Sequence, residues 1–428
     1  MAYGPDTDEL LRRLSTIVEG KLDLHNLNIH SLPELFADLE HLNCSYTKIK
    51  KLPAILPTDL KYLNIRFTKI RYLPELPISL IHLVCSSTDI CKLPDTLPPY
   101  LQHLDVHDTQ IQSLPKLPDS LIYLDCSSTK IKSLPQLPST LKHLNSSYLQ
   151  ISYLPELSQD LEYLCCCVTN LECLPQLPTK LKTLNCFYTL ITALPELPNS
   201  LHSLHCSLNW ISVLPNLPSE LTKLSCGDTD IKVLPELPSM LKELECGNTE
   251  ITTIPELPCG LLSLDCSGSE ITALPPLPSS LKKLSCRETN ITSLPELPPN
   301  LTELNCYCTN LKKLPRLHDS LKYLRCFSTN IKYLPVLPLM LEELSCDYVH
   351  VITNMPELQD SLKKLNLTST PIESIVEFKY NLHSEKKSMI RIQERTRTIK
   401  EELVITACHP ARIESLITKY GLDVLDNI

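Results

Sequence analysis

The chain has 428 residues, of which 40 are Lys or Arg and 49 are Asp or Glu, for a formal net charge of -9. Proteins that bind nucleic acid depend on many cationic contacts to phosphate, so this acidic balance argues against a nucleic-acid partner. No apolar run is long enough to cross a bilayer, and the 7 glycines are too few for an enzyme built on glycine-rich active-site loops.

Residues 1–18 predict a short helical cap at the N-terminus. Asp6 and Glu9 stand at capping-box spacing. An apolar stripe at helical intervals follows, formed by Leu10, Leu11, Leu14 and Val18. The segment lacks the basic start and apolar middle of a signal peptide. We therefore expect a cytoplasmic protein whose 20 cysteines are mostly thiols.

Residues 19–378 repeat one unit, LxxLxCxxTxIxxLPxLPxx, in which position one is the first leucine. From Leu101 to Leu341 the spacing is 20 without interruption, and extending the register outward gives 18 units of 20–21 residues. The first half alternates apolar and polar residues, which predicts a short strand. The two prolines of the second half remove backbone donors and fix φ, so this half returns as an extended, polyproline-like segment. Stacked units predict a solenoid with a continuous core.

This pattern resembles that of leucine-rich repeat proteins. The short unit with LPxLP is similar to the subtype in bacterial effectors of the IpaH and YopM kind, and to leucine-rich repeat proteins of amoeba-infecting giant viruses. The resemblance implies a leucine-rich repeat solenoid with a parallel β-sheet on its concave face, extended segments on its convex face and short helical caps. It also implies that the concave face binds other proteins.

Two columns depart from the family pattern. Position nine, usually Asn, is Thr in most units and Asn only at Asn209. We expect the threonine hydroxyl to bond the backbone of a neighbouring coil. Position six is Cys in 13 of the 18 units, where it faces the core. We interpret this column as small hydrophobic side chains, with a disulfide ladder or a thiolate metal site as alternatives.

Among the cysteines outside this column, three lie on a strand or next to its exit. Cys165 and Cys167 flank Cys166 on its strand and should therefore point outward, and Cys308 stands near the exit of its strand. These three thiols are candidates for reactivity, although exposed thiols are also tolerated without a role in a reducing cell.

Position three carries rings in seven consecutive units. Aromatic and histidine side chains on adjacent strands predict lateral stacking, and they offer a protein partner flat contact area with polar tips. A metal or pH-switch role for the histidines is the alternative. This His/Tyr stripe consists of His41, Tyr62, His82, His103, Tyr123, His143 and Tyr163.

Positions seven to ten of four consecutive units carry large apolar residues, which usually mark an interaction site on a surface that is otherwise polar. The alternative is a local packing irregularity. The candidate binding residues here are Tyr148, Phe187, Tyr188, Leu190, Leu208 and Trp210, accompanied by Leu149 and Val168.

Residues 379–428 predict a helical C-terminal tail or cap with a basic face, for which a membrane-surface or partner helix is the alternative. Effectors with this repeat often carry a cysteine-nucleophile ubiquitin ligase domain after it. Here Cys408 and His409 stand alone, without the orienting group and pocket that such a nucleophile needs.

The sequence therefore predicts a non-enzymatic protein-binding scaffold that engages a host protein. We expect no cofactor, no metal and no nucleic acid, and we do not expect a membrane partner. The alternatives are a substrate-recognition part of a ubiquitin-ligase-type system and a thiol-rich redox or metal protein.

Overall fold

The computed structural model describes residues 9, 12–13, 20–347, 356 and 358–368. Residues 9, 12 and 13 are helical, and the other residues of the predicted cap, 1–18, lie outside the described residues. The predicted tail, 379–428, with Cys408 and His409, also lies outside them.

The described coils each contribute one three-residue strand to a single sheet of 18 strands. The strands are β1 (Lys21–Asp23), β2 (His41–Asn43), β3 (Tyr62–Asn64), β4 (His82–Val84), β5 (His103–Asp105), β6 (Tyr123–Asp125), β7 (His143–Asn145), β8 (Tyr163–Cys165), β9 (Thr183–Asn185), β10 (Ser203–His205), β11 (Lys223–Ser225), β12 (Glu243–Glu245), β13 (Ser263–Asp265), β14 (Lys283–Ser285), β15 (Glu303–Asn305), β16 (Tyr323–Arg325), β17 (Glu343–Ser345) and β18 (Lys364–Asn366).

Each strand pairs in parallel with the next strand along the chain, and equivalent positions of the repeat face each other. Leu104 pairs with Leu124 in the regular part of the array. His41 pairs with Tyr62 although the two are separated by the longer unit, so the inserted residue is accommodated outside the strand. The predicted parallel solenoid is confirmed, because strands occur at positions three to five of every predicted unit.

The core is one continuous column of side chains enclosed by the coils. Leucines at positions one and four and the aliphatic residue at position eleven are almost fully buried, as for Leu101, Leu104 and Ile111 at 0% exposure. Full burial of such a side chain contributes roughly 1.5–3 kcal/mol, and only stacking achieves it here.

The cysteine column lies in this core, as the small-hydrophobe interpretation predicts. All 13 of these cysteines are free thiols and are buried. Burial raises their pKa, for example to about 12 for Cys44 and Cys226. A neutral thiol is neither a nucleophile nor a metal ligand, so this column packs the core. Its members are Cys44, Cys85, Cys126, Cys166, Cys186, Cys206, Cys226, Cys246, Cys266, Cys286, Cys306, Cys326 and Cys346.

The proline-rich segments return along the opposite side without forming strands. Their carbonyls find partners in a ladder of Ser and Thr hydroxyls at position twenty. The Ser120 hydroxyl, for example, is shared between the carbonyl oxygens of Pro99 and Leu101, which lie one turn of the solenoid earlier, at 2.9 and 2.7 Å. These bonds link coil to coil where proline has removed backbone donors.

Position nine behaves differently from our expectation. The threonine hydroxyl donates to the position-six carbonyl of its own coil, as Thr229 Oγ1 does to Cys226 O at 2.7 Å. The prediction of a bond to the neighbouring coil is therefore wrong for threonine, because a single hydroxyl is too short to reach further. Asn209 does bridge two coils, since its amide donates to Cys186 O and Cys206 O at 2.8 and 2.9 Å.

Candidate functional site

The His/Tyr stripe forms a stack of rings along strands β2 to β8, so the prediction of lateral stacking is confirmed. All seven residues are half-buried at the first position of their strands. In four neighbouring pairs the ring planes are nearly parallel and stacked, whereas in the other two pairs the planes are tilted against each other. Ring centroids lie 4.0 Å apart for His41 and Tyr62, 6.0 Å for Tyr62 and His82, 5.6 Å for His82 and His103, 4.1 Å for His103 and Tyr123, 4.3 Å for Tyr123 and His143, and 4.1 Å for His143 and Tyr163.

Stacking also changes the acid–base behaviour of the stripe. Burial lowers the pKa of all four histidines of the stripe, because the charged imidazolium loses solvation between neighbouring rings. The stripe is therefore a largely neutral surface at neutral pH, which suits a contact that involves desolvation. The four are His41, His82, His103 and His143.

A polar cluster lies beside the stripe, on the same side of the sheet. Ligand atoms of Asp105, His107 and Asp125 all lie within 4.8 Å of one another. Asp105 Oδ1 is 2.7 Å from His107 Nδ1, and its Oδ2 accepts from the Ser86 hydroxyl at 3.0 Å. Asp125 Oδ2 accepts from the Asn145 amide at 2.9 Å. The donor types would suit a cation, but these hydrogen bonds already satisfy the carboxylates.

The apolar patch spans four consecutive coils and is exposed to solvent in three of them, whereas Val168 in the remaining coil is half-buried. Trp210 is 63% exposed, Tyr148 60% and Phe187 37%. The rings of Phe187 and Tyr188 lie 6.3 Å apart, so these two side chains touch without burying each other. We define the apolar patch as Tyr148, Val168, Phe187, Tyr188, Leu190, Leu208 and Trp210. Leu149 does not belong to it, because at 2% exposure its side chain fills the core in place of the usual threonine.

The backbone beneath the apolar patch is unusual for the residues that it carries. Position eight is left-handed in the coils where the structure describes it, so that its N–H can donate to the position-seven carbonyl of the next coil, as Tyr188 does to Ser207 at 3.0 Å. This conformation favours Gly, Asn and Asp and costs other residues roughly 1–2 kcal/mol. Four consecutive coils nevertheless place large side chains there, at Tyr148 (φ 58°), Val168 (φ 55°), Tyr188 (φ 53°) and Leu208 (φ 56°).

A shallow groove of about 440 Å³ opens beside the patch. Tyr188, Leu190, Leu208 and Trp210 form its apolar wall. Polar residues at the same positions of the following coils form the other wall, namely Asp228, Asp230 and Asn248. The groove therefore combines an apolar side with an acidic side.

Two smaller aromatic clusters, which were not predicted from the sequence, lie at positions seven and eight. Tyr46 and Phe67 stack at 4.6 Å, and Tyr307 and Phe327 stack at 4.1 Å. An arginine covers a ring in each, as Arg66 does over Phe67 at 4.9 Å. The sequence carries the signal, since these positions are otherwise mostly small or polar. Both clusters span two coils, whereas the apolar patch spans four.

The three candidate cysteines, Cys165, Cys167 and Cys308, have different environments. Cys308 is exposed, as expected. Cys165 is buried, which corrects the expectation that it is exposed, because the Ser147 hydroxyl and the Cys167 thiol cover it at 3.0 and 3.7 Å. Cys167 is half-buried, beside the apolar patch.

The fold places this chain among known structures. YopM from Yersinia enterocolitica is similar, with a TM-score of 0.63, 29% identity and coverage of 86% of this chain and 96% of that chain. YopM from Yersinia pestis, a leucine-rich effector protein, gives a TM-score of 0.58 at 29% identity over 86% of this chain and 94% of that chain. The chain has a leucine-rich repeat fold similar to that of YopM. A leucine-rich repeat protein of Leptospira interrogans shares the fold at 19% identity, with a TM-score of 0.52 over 76% of this chain and 93% of that chain.

Two other comparisons give no match: no protein-family model and no curated protein matches this sequence. Among the described residues, none forms a helix with the length and apolar character needed to span a membrane.

Proposed function

We propose that this leucine-rich repeat solenoid is a non-enzymatic scaffold that binds a protein through the apolar patch and the adjoining groove. One observation carries the proposal: four consecutive coils hold apolar side chains on left-handed backbone, and those of Tyr148, Tyr188 and Leu208 are 60%, 56% and 39% exposed. Neither the exposure nor the backbone strain benefits the folded chain by itself. Strained residues that persist on a rigid framework cluster at binding and catalytic sites.

The shape and charge of the groove indicate the kind of partner surface. Apolar anchors set in a small pocket carry most of the energy of typical protein interfaces, and Tyr and Trp are favoured there. Asp228 and Asp230 oppose the apolar wall, so the complementary surface has an apolar side chain flanked by Lys or Arg. The net charge of -9 adds long-range attraction for such a basic partner.

The His/Tyr stripe serves this proposal as a second contact area. Its seven rings are rigid because they stack on one another, so little conformational entropy is lost when a partner covers their edges. Tyr163, at the end of the stripe, and Tyr148, at the start of the apolar patch, lie on consecutive coils. One partner can therefore contact both surfaces.

The finer proposal is that the partner is a host protein in the cytoplasm of an infected cell. It rests on the resemblance of the repeat to those of bacterial effectors and of giant-virus proteins, and on the similarity to YopM, an effector protein. A reducing compartment also suits a chain whose described cysteines are all free.

The test is affinity capture from amoeba lysate under reducing conditions, followed by affinity measurement with the captured protein. Phe187→Ser/Trp210→Ser removes two exposed rings of the patch. Val233→Ser/Tyr333→Ser is the matched control, because it removes side chains that are 70% and 66% exposed elsewhere on the solenoid. Truncating buried anchor side chains costs about 2 kcal/mol or more, which is about a thirtyfold loss of affinity.

We expect the patch variant to lose the partner while it keeps the circular dichroism spectrum and thermal midpoint of the parent. The control variant should bind as the parent does. Equal binding by the parent and the patch variant would contradict the proposal, and so would a loss of folding in the patch variant, which would make these residues structural.

A further inference from the structure

Coil eight carries three cysteines in succession, and the outer two face away from the core. The Sγ atoms of Cys165 and Cys167 lie 3.7 Å apart on the same side of the chain, whereas Cys166 between them is fully buried in the core column. The rigid strand β8 and the left-handed turn at Val168 hold this pair in place. The pair is therefore preformed in the folded chain.

The separation of the two sulfur atoms fits a shared metal ion. Thiolates bind Zn²⁺ at about 2.3 Å in tetrahedral geometry, which places two sulfur ligands about 3.8 Å apart. A disulfide instead requires the sulfur atoms to approach to about 2.05 Å, so the two side chains would have to leave the positions that they occupy here. The preformed geometry favours metal coordination over disulfide formation.

The surroundings place a hydrogen-bond partner beside the buried thiol of the pair. The Ser147 hydroxyl lies 3.0 Å from the Sγ of Cys165, which in turn lies against the Sγ of Cys167. A bound cation would take the place of the proton between the two sulfur atoms. Cys166, by contrast, is fully buried in the core column.

We propose that Cys165 and Cys167 form a binding site for one thiophilic d¹⁰ metal ion, of the class of Zn²⁺ and Cu⁺. Two metal–sulfur bonds form, two water ligands leave the ion, and the thiol protons pass to solvent, with no change of oxidation state. Water or a small thiol completes the coordination from the half-exposed side of Cys167. Soft thiolate ligands select this class of ion.

The site lies between the two surfaces that the proposed function uses. Tyr163 of the stripe is on the same strand as Cys165, and Phe187 of the apolar patch is on the next coil. The metal site does not depend on the protein partner. Its test uses the purified chain alone, so its failure and the failure of the protein-binding proposal are distinguishable.

The test is a titration of the full, reduced chain with Cd²⁺ in thiol-free buffer under argon, followed by thiolate-to-metal absorption in the ultraviolet. We expect saturation at one equivalent and displacement by Zn²⁺. X-ray absorption of the Zn²⁺-loaded protein should show two sulfur ligands at about 2.3 Å. Cys165→Ser and Cys167→Ser should each abolish the absorption band. Cys173→Ser, which removes an exposed cysteine from the same coil, should leave the band unchanged.

Two results would overturn the proposal. One is the absence of a thiolate band in the parent protein, and the other is an unchanged band in Cys165→Ser/Cys167→Ser. Circular dichroism shows whether Cys165→Ser, which changes a buried residue, disturbs folding. If it does, Cys167→Ser alone tests the metal site, because Cys167 is half-exposed.

Discussion

Asn209 joins two coils directly beneath the apolar patch, and its replacement has a predictable cost. Its Oδ1 accepts from Thr189 N at 3.0 Å and from Thr189 Oγ1 at 2.6 Å, in addition to the two carbonyl bonds that its amide donates. The side chain is buried, at 5% exposure. Thr229 occupies the same position in the next coil with one hydrogen bond, to its own coil.

Asn209→Ala should therefore destabilise the chain much more than Thr229→Ala. A buried hydrogen bond contributes about 1 kcal/mol net, so the loss of three to four bonds costs about 3–4 kcal/mol, against about 1 kcal/mol for the threonine. Asn209→Thr introduces the common residue of this column, and its loss of stability should fall between those of the two alanine variants.

Native-state hydrogen exchange is the appropriate assay, because coils of a repeat protein open locally with their neighbours. Amides of the coils joined by Asn209 should lose protection in Asn209→Ala, whereas those near Thr229 should lose less in its variant. Equal losses in the two alanine variants would refute the reasoning that the asparagine couples adjacent coils.

Three further predictions follow from the same structure. Val168→Asn relieves left-handed strain of about 1 kcal/mol, so the thermal midpoint should stay the same or rise while partner binding weakens; a clear drop in the midpoint would contradict this. Because burial lowers the pKa of His103, the unfolded chain binds protons more readily below about pH 6.5, and stability should fall between pH 7 and 5. His103→Phe should reduce the change in the free energy of unfolding with pH, measured in unfolding titrations. An unchanged pH dependence would show that the stacked ring does not contribute. The 13 column thiols should react with Ellman's reagent only in denaturant, and native reactivity at Cys226 would contradict their burial.

The solenoid was predictable because its sequence is periodic. Proline pairs and alternating leucines place each strand at positions three to five, and a one-residue insertion such as that between His41 and Tyr62 falls outside the strands. Stacking of the stripe followed from the same register, since residues at one position of neighbouring parallel strands lie side by side.

Details that depend on how far a side chain extends and on the local backbone conformation were not predictable. Both threonine and asparagine can donate a hydrogen bond, and only the atomic distances show that Thr229 stays within its coil while Asn209 spans two. The left-handed conformation at position eight could not be read from the sequence, because glycine occupies this position only at Gly268 in the described coils. Other coils carry residues such as Leu208 there. The cover over Cys165 likewise comes from the preceding coil, 18 residues away in sequence.

Site-specific photo-crosslinking tests directly whether a partner protein binds at the apolar patch. A photoreactive phenylalanine analogue replaces Trp210 in the apolar patch, or Tyr333 on the returning segment of another coil as the control; the two native residues are 63% and 66% exposed. We expect irradiation of cell lysate to join one partner protein to the chain labelled at 210 and not to the chain labelled at 333. The same partner cross-linked only from 333, or equally from both, would contradict a binding site at the apolar patch.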